Sequence, residues 1–325
     1  MNEEMFKVVF GSATFASTLR LAAPLILAAL GGAFTKHADI FNIALEGYML
    51  ISAFFGAWGC IVFGNPWMGL LAAIVSATLM SSLFALLVLK MNANNSVVGL
   101  AINLAMTGLS TWLLDAIFHQ RGWVIIEKGG FPSINIPVLC NIPYLSGVLS
   151  NQNLLVYFTF IVALIAEWFL YQNIYGIRLR AVGEHSEAAE SVGIPFMRYK
   201  IWSVLMSGVL CGCSGAFLSL GGASMFSEGM SSGKGAIALG IVHFSGGRPL
   251  LILLGSLVFG YADAVSVALQ QFGFPNQAMM TIPFLMVILV LAVVGALSRR
   301  PLYRRLPWLA KLLGRGKPVK AAEPA

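Results

Sequence analysis

Charge is what this sequence has least of: Asp, Glu, Lys and Arg make up 10% of its 325 residues, against 58% hydrophobic. So few polar groups cannot cover a soluble domain of that length, and an integral membrane protein is the class that remains. Cysteine is scarce too. Cys60 and Cys140 stand alone, and Cys211 and Cys213 form a Cys-x-Cys inside an apolar run with no second pair, so they read as small packing residues and no metal site is expected. The four histidines, at 37, 119, 185 and 243, are dispersed, and neither His-Glu-x-x-His nor Gly-x-Ser-x-Gly occurs. GMSSGKG at 229–235 resembles a phosphate-binding loop, but the step from Gly229 to Gly233-Lys234 is one residue short and no Ser or Thr follows the lysine. Catalysis has no visible apparatus, and ATP has no loop to sit in. Alternating strand patterns are missing as well, which excludes a barrel and leaves an all-α polytopic helical bundle.

What is present is long uncharged stretches. Gly47 to Leu89, Ile201 to Ser227 and Ala264 to Ser298 each exceed the roughly 20 residues that cross a bilayer as helix. Spans are expected near 14–34, 45–64, 67–89, 97–119, 153–175, 199–220, 249–271 and 279–298, with a shorter Gly-rich segment at 233–246, so about eight or nine segments, some of them broken or re-entrant. Asn65-Pro66 and the polar stretch from Lys90 to Ser96 are turns. The N-terminus, MNEEM, is acidic, and the first long uncharged apolar run begins after Arg20, so no cleavable signal peptide is expected.

The net charge of +7 is concentrated in one place. Residues 299–325 hold eight Lys or Arg and one Glu, leaving twelve basic and twelve acidic residues in 1–298. A basic tail directly after a span reads as a cytoplasmic anchor on anionic lipid, not as a nucleic-acid surface. The polar island from Gly176 to Lys200 also carries basic edges, Arg178, Arg180, Arg198 and Lys200, around Glu184, Glu187 and Glu190. Basic residues flanking spans collect on the cytoplasmic side. Within this island Ser186 is placed to cap a helix of under two turns, Gly193 to take the left-handed position after it, and Pro195 to stop it. So short a helix is held by its neighbours or by a partner. Docking element and solvated loop are the competing readings. If island and tail share a side, an even number of crossings separates them, and 233–246 must cross or pair with a second half-span. On the same parity the Pro- and Gly-rich interval 121–152 lies outside, either shaping a mouth or docking surface or serving as a connector.

Two places interrupt the apolar pattern in corresponding halves: GGAFTKHADIFNIALEG at 31–47 and GGASMFSEGMSSGKGAIALGIVHFSGG at 221–247. Irregular backbone at membrane depth is tolerated where it lines a cavity or is buried in protein, so paired breaks point to a translocation pathway. Asn42, Glu46 and Asn103 are the candidate pathway residues. Glu46 could instead reach the headgroups or cap a neighbouring helix, and Asn103 could bond another helix. Asp115, Glu167 and Asp263 sit near span ends, where acids snorkel or pair, and Arg20 reads as an interfacial anchor or the partner of an acid.

Three co-linear motifs carry a resemblance: NIALEGYMLISAF at 42–54, GIRLRAVGEHSEAAESVGI at 176–194 and GKGAIALGIVHFSGGRPLLILLGSLVFG at 233–260. Together they resemble the permease subunits of bacterial ATP-binding-cassette importers, in the group serving branched-chain amino acids, ribose-type sugars and nucleosides, and most of all its simple-sugar and nucleoside branch. The similarity runs from about Leu19 to Leu297. It implies a permease domain over 1–298, in the cytoplasmic (inner) membrane, that pairs with a second permease, identical or paralogous. ATP is then hydrolysed by a separate cytoplasmic ATPase subunit, this chain binds no cofactor, and an extracytoplasmic solute-binding protein delivers the solute. The resemblance also implies that Val182 to Ile194 is the helix seated in the ATPase, with Arg178, Arg180, Glu184, Ser186, Glu187, Ala188, Ala189, Glu190 and Gly193 as ATPase-coupling residues. His185-Ser186 stands where the family commonly has Asn-Pro, and His243 where an apolar residue is expected. The alternatives are a permease for branched-chain amino acids, or a secondary transporter with Glu46, Asp115 or Asp263 as its ion-coupled site.

Overall fold

Asparagine and glycine punctuate the chain, and the helices follow. In the computed structural model, which describes residues 8–126, 130–134, 148, 152–222, 224–270 and scattered positions from 272 to 292, the first helix, α1, runs from Ser12 to His37. Every residue from Ala22 to Thr35 is buried, so α1 is a central post. Pro24 lies inside it, where it supplies no amide to the helix, and its carbonyl accepts a bond from Ser214 Oγ at 2.7 Å.

After a non-helical stretch, α2 spans Leu45–Phe63 and ends on Gly64 in the left-handed conformation. Asn65 then caps α3, Pro66–Ala85, its side-chain oxygen accepting from the Trp67 amide at 2.9 Å while Pro66 takes the first helical position. A five-residue π-helical turn, Leu86–Lys90, closes that hairpin. Asn94 caps α4, Asn95–Phe118, and Asn153 caps α5, Leu154–Gln172. Asn173 ends α5 and caps α6, Ile174–Glu184, three residues earlier than the apolar run alone indicated. A short α7, Ser186–Ser191, leads to α8, Phe196–Leu220, which starts after Pro195. Then come the short α9, Lys234–Phe244, and α10, Pro249–Gln270.

Seven of these segments are long and apolar enough to cross a membrane: α1, α2, α3 with its π turn, α4, α5, α8 and α10. The eighth expected span, 279–298, falls largely outside the described residues, as do the tail at 299–325 and Cys140. Helices α1, α2, α3 and α8 pack on one another as the core. Gly212 of α8 shows how closely: a Cβ there would lie 2.7 Å from the Ile74 Cα on α3, so only glycine permits the crossing, as its small-residue spacing with Gly208 indicated. Cys60, Cys211 and Cys213 are buried in this core. By contrast α4 and α5 display Leu104, Trp112, Leu164 and Trp168 outward, the pattern of helices facing lipid or another apolar chain.

Short strands add what the sequence pattern did not reveal. β1, Trp123–Ile125, pairs antiparallel with β4, Met225–Ser227, placing buried Val124 opposite buried Phe226. Ser133–Ile134 (β2) pairs with Gln152–Asn153 (β3) in the same sense. At two or three residues, none is long enough to show an alternation. They pin the start and end of the 121–152 interval to one end of the bundle, where Trp67 also meets Phe131 edge-on. Arg20 is tied there as well, donating to Gln152 Oε1 at 2.8 Å, so the partner it has within the fold is an amide and not an acid.

Candidate functional site

The two interrupted segments, nearly 200 residues apart in sequence, meet. The 11 residues of α9 give a helix of about 16 Å, roughly half a hydrocarbon core. An isolated helix of that length does not persist, and each end of α9 is held by a charged side chain from the other break. At its N-terminus Glu46 accepts from two otherwise unpaired amides, Gly233 N–H to Oε1 at 3.0 Å and Gly235 N–H to Oε2. Glycine at 235 is required by the approach itself, since a Cβ would fall 2.5 Å from the Glu46 Cα. At its C-terminus Lys36 donates from Nζ to the Val242 carbonyl at 2.9 Å, and His37 Nε2 lies 3.0 Å from the Gly247 carbonyl. A carboxylate at the positive end and an ammonium at the negative end both complement the helix dipole. Of the readings open for Glu46, capping a neighbouring helix is the one present.

Asn42 and Asn103 brace the same break. Asn103 accepts from the Gly47 amide at 2.8 Å and donates to the Ile43 carbonyl at 3.0 Å, so its amide spends both functions on the turn entering α2. Asn42 is buried, donates to Ser207 Oγ at 3.2 Å and accepts from the Ala44 amide. The three polar residues singled out in the sequence therefore sit around one structural element, each engaged with protein.

Lys234, the lysine of the false phosphate loop, pairs with Asp263 at 3.2 Å, with side chains 16% and 17% exposed. Sequence reasoning placed Asp263 among paired or snorkelling acids without its partner, because the pair joins α9 to α10 across a turn. Breaking a pair this sheltered leaves an uncompensated charge, for which about 3–5 kcal/mol is usual. Lys234→Ala and Asp263→Ala are each expected to lower the thermal stability of the purified protein by several degrees, while the double variant loses clearly less than the sum. Additive losses would show the two groups to be uncoupled.

At the basic end, the polar island forms a platform. Its short helix has the expected exit: Gly193 takes φ +82, its amide bonds Glu190 O at 2.9 Å and the Ile194 amide bonds Ala189 O at 3.0 Å, a Schellman closure. The entry differs. Ser186 is the first helical residue and His185, which makes no side-chain capping bond, is the N-cap. The reason is α6, which runs up to Glu184 and leaves His185 alone to end one helix and begin the next. Glu187, Ala188 and Glu190 are exposed, as are Arg178 and Glu184, whereas Ala189 is buried against the bundle. Arg180 is partly covered, its guanidinium 4.5 Å from the Tyr171 ring centroid. The platform rests on the end of α1, where Gly183 packs on the His37 carbonyl. A continuous path of contacts thus runs from α7 through α6 and His37 to Gly247 and α9.

The profile of the family described as "Branched-chain amino acid transport system / permease component" matches residues 14–291. The chain belongs to that family. It is 34% identical over 290 residues to the nucleoside ABC transporter permease protein NupC of Lactococcus lactis, covering 86% of this chain and 90% of that protein. To the guanosine ABC transporter permease protein NupQ of Bacillus subtilis it is 34% identical over 297 residues, covering 87% and 91%. To the putative glucose ABC transporter permease protein TsgC13 of Haloferax volcanii it is 30% identical over 266 residues, covering 81% and 79%. This permease is accordingly a multi-pass membrane transport subunit of the ATP-binding-cassette type, which works with an ATPase. In it, α9 is the broken element at the centre and α7 the polar platform at one end.

Proposed function

We propose that this permease is one of two membrane subunits of an importer that carries a nucleoside into the cell, with the ATPase seated on α7 and its flanks. The observation that carries the reading is the contact path from the exposed face of α7 through His37 to the clasped half-helix α9. Closure of the ATPase pair on ATP would move α6 and α7, shift the end of α1, and exchange two arrangements of α9 around the pathway. Arg178, Arg180, Glu184, Ser186, Glu187, Ala188, Ala189, Glu190 and Gly193 form or support the ATPase seat. Asn42, Glu46 and Asn103 hold the pathway wall in shape. The second permease, identical or paralogous, lies against an outward apolar face. The solute-binding protein docks at the end carrying β1 to β4. Both the platform and the tail at 299–325 are cytoplasmic. This chain binds no cofactor, and ATP is used by its partner.

Nucleoside is preferred over simple sugar because the two relatives at 34% identity carry nucleoside and guanosine in their names, while a relative named as a putative glucose permease stands at 30%. Ion coupling is disfavoured by the engagement of its candidate acids: Glu46 caps α9, Asp263 pairs with Lys234 and Asp115 lies 3.5 Å from Arg121. Uptake of labelled guanosine, ribose and leucine, in cells with and without the gene and after ATP depletion with the ion gradient maintained, tests the reading. Guanosine uptake is expected to require both the gene and ATP. Uptake that survives ATP depletion and collapses with the gradient would overturn it.

A further inference from the structure

Beside the clasp, between the end of α1, the break and the last turn of α9, lies a cavity of about 180 Å³ whose wall includes Lys36, Asp39, Phe41, Asn42 and His243. Lys36 and Asn42 are spent on the fold, Lys36 on the Val242 carbonyl and Asn42 on Ser207. The other three are not explained by the clasp. Phe41 is a large apolar ring, 41% exposed at a break otherwise held by polar bonds. It meets His243 edge to face, with centroids 5.3 Å apart and planes at 79°. His243 is exposed, and its Nδ1 lies 2.9 Å from the Leu239 carbonyl. A carbonyl only accepts, so Nδ1 carries the hydrogen and Nε2 of the neutral ring is left as an acceptor. Asp39 has φ +58, a conformation in which glycine is least hindered, yet an exposed carboxylate stands there.

We infer that this cavity is a passing subsite for the flat nitrogen heterocycle of the solute, a nucleobase, with Phe41 as its stacking platform and Asp39 and His243 as acceptors for ring N–H and amino groups. Aromatic faces hold bases of any sequence by stacking, and a carboxylate accepts the paired N–H groups along one edge of a guanine. A simple sugar lacks both the aromatic π face and the paired ring N–H and amino donors of a guanine edge, so the same three residues favour nucleoside over sugar. The inference rests on the nucleoside reading above and adds the residues that would act on the base.

The test is the initial rate of labelled guanosine uptake by cells carrying the whole transporter, at matched membrane abundance of each variant. Phe41→Leu is expected to lower that rate about tenfold, the effect of removing one base–aromatic stack, while Phe41→Trp stays within about twofold of the parent. Asp39→Gly, which relaxes the backbone, is expected to lower it by a similar factor. Wild-type rates for both Phe41→Leu and Asp39→Gly would overturn the subsite and leave the nucleoside reading standing. Equal loss in Phe41→Leu and Phe41→Trp would also overturn it, by showing that the ring only packs. A parent transporter that carries no nucleoside would overturn the solute reading and the subsite together.

Discussion

Glu46→Ala is expected to reduce uptake by at least a hundredfold at normal membrane abundance, with Glu46→Gln falling between it and the parent. The carboxylate accepts from the Gly233 and Gly235 amides, which would otherwise be unpaired at the start of a helix too short to hold itself. Hydrogen bonds to a charged group contribute about 1.5–3 kcal/mol each, and the charge at the helix N-terminus adds about 0.3–1 kcal/mol. Even the low end of that sum exceeds the roughly 2.7 kcal/mol that shifts a docked population a hundredfold. Glutamine keeps one acceptor oxygen but gives up the charge and the second oxygen, hence its intermediate place. A cysteine introduced at Ser232, beside Gly233, reports the same event independently: its reaction with a water-soluble maleimide should quicken in the Glu46→Ala background. Full uptake by Glu46→Ala would mean that α9 is held by Lys234, Lys36 and packing alone.

The parts of this architecture that could be read in the sequence are those whose causes are local. Asn65, Gly64 and Pro195 mark helix ends because a cap or a missing amide acts within a few residues, and the expected spans 45–64, 67–89 and 199–220 match α2, α3 with its π turn and α8 to within three residues. The breaks at 31–47 and 221–247 were visible for the same reason. That Glu46 could cap a neighbouring helix was legible too, but not which one, because its bonds to Gly233 and Gly235 join positions with no periodic relation, and the lysine that looked like part of a phosphate loop closes on Asp263 from another helix. Ser186 failed as a cap through a neighbour's effect: the helical run of α6 continued to Glu184 and moved the boundary by one residue. The amide partner of Arg20 was not legible, because Gln152 lies in a two-residue strand that no pattern discloses.

Substitutions at adjacent positions of α7 should separate the ATPase seat from the permease's own fold. Ala188 is exposed, and Ala189, one residue on, is buried at the helix's inner face. Ala188→Trp therefore adds an indole where a partner would sit and touches little of this chain, so the purified permease should keep its thermal stability while ATP-driven uptake falls at least tenfold. Ala189→Trp overfills a packed contact, for which about 1–3 kcal/mol is usual, so its first symptom should be lowered stability and abundance. Glu187→Lys belongs with Ala188→Trp, because Glu187 is exposed in the first turn of α7 and reversing its charge also opposes the helix dipole. In the assembled transporter, Ala188→Trp and Glu187→Lys should leave the ATPase hydrolysing ATP without matching solute uptake. Equal loss of stability in Ala188→Trp and Ala189→Trp would deny the exposed face its role. Normal uptake by both Ala188→Trp and Glu187→Lys at equal abundance would move the seat of the ATPase elsewhere on the basic end, with the exposed Val192 and Arg178 as the next positions to alter.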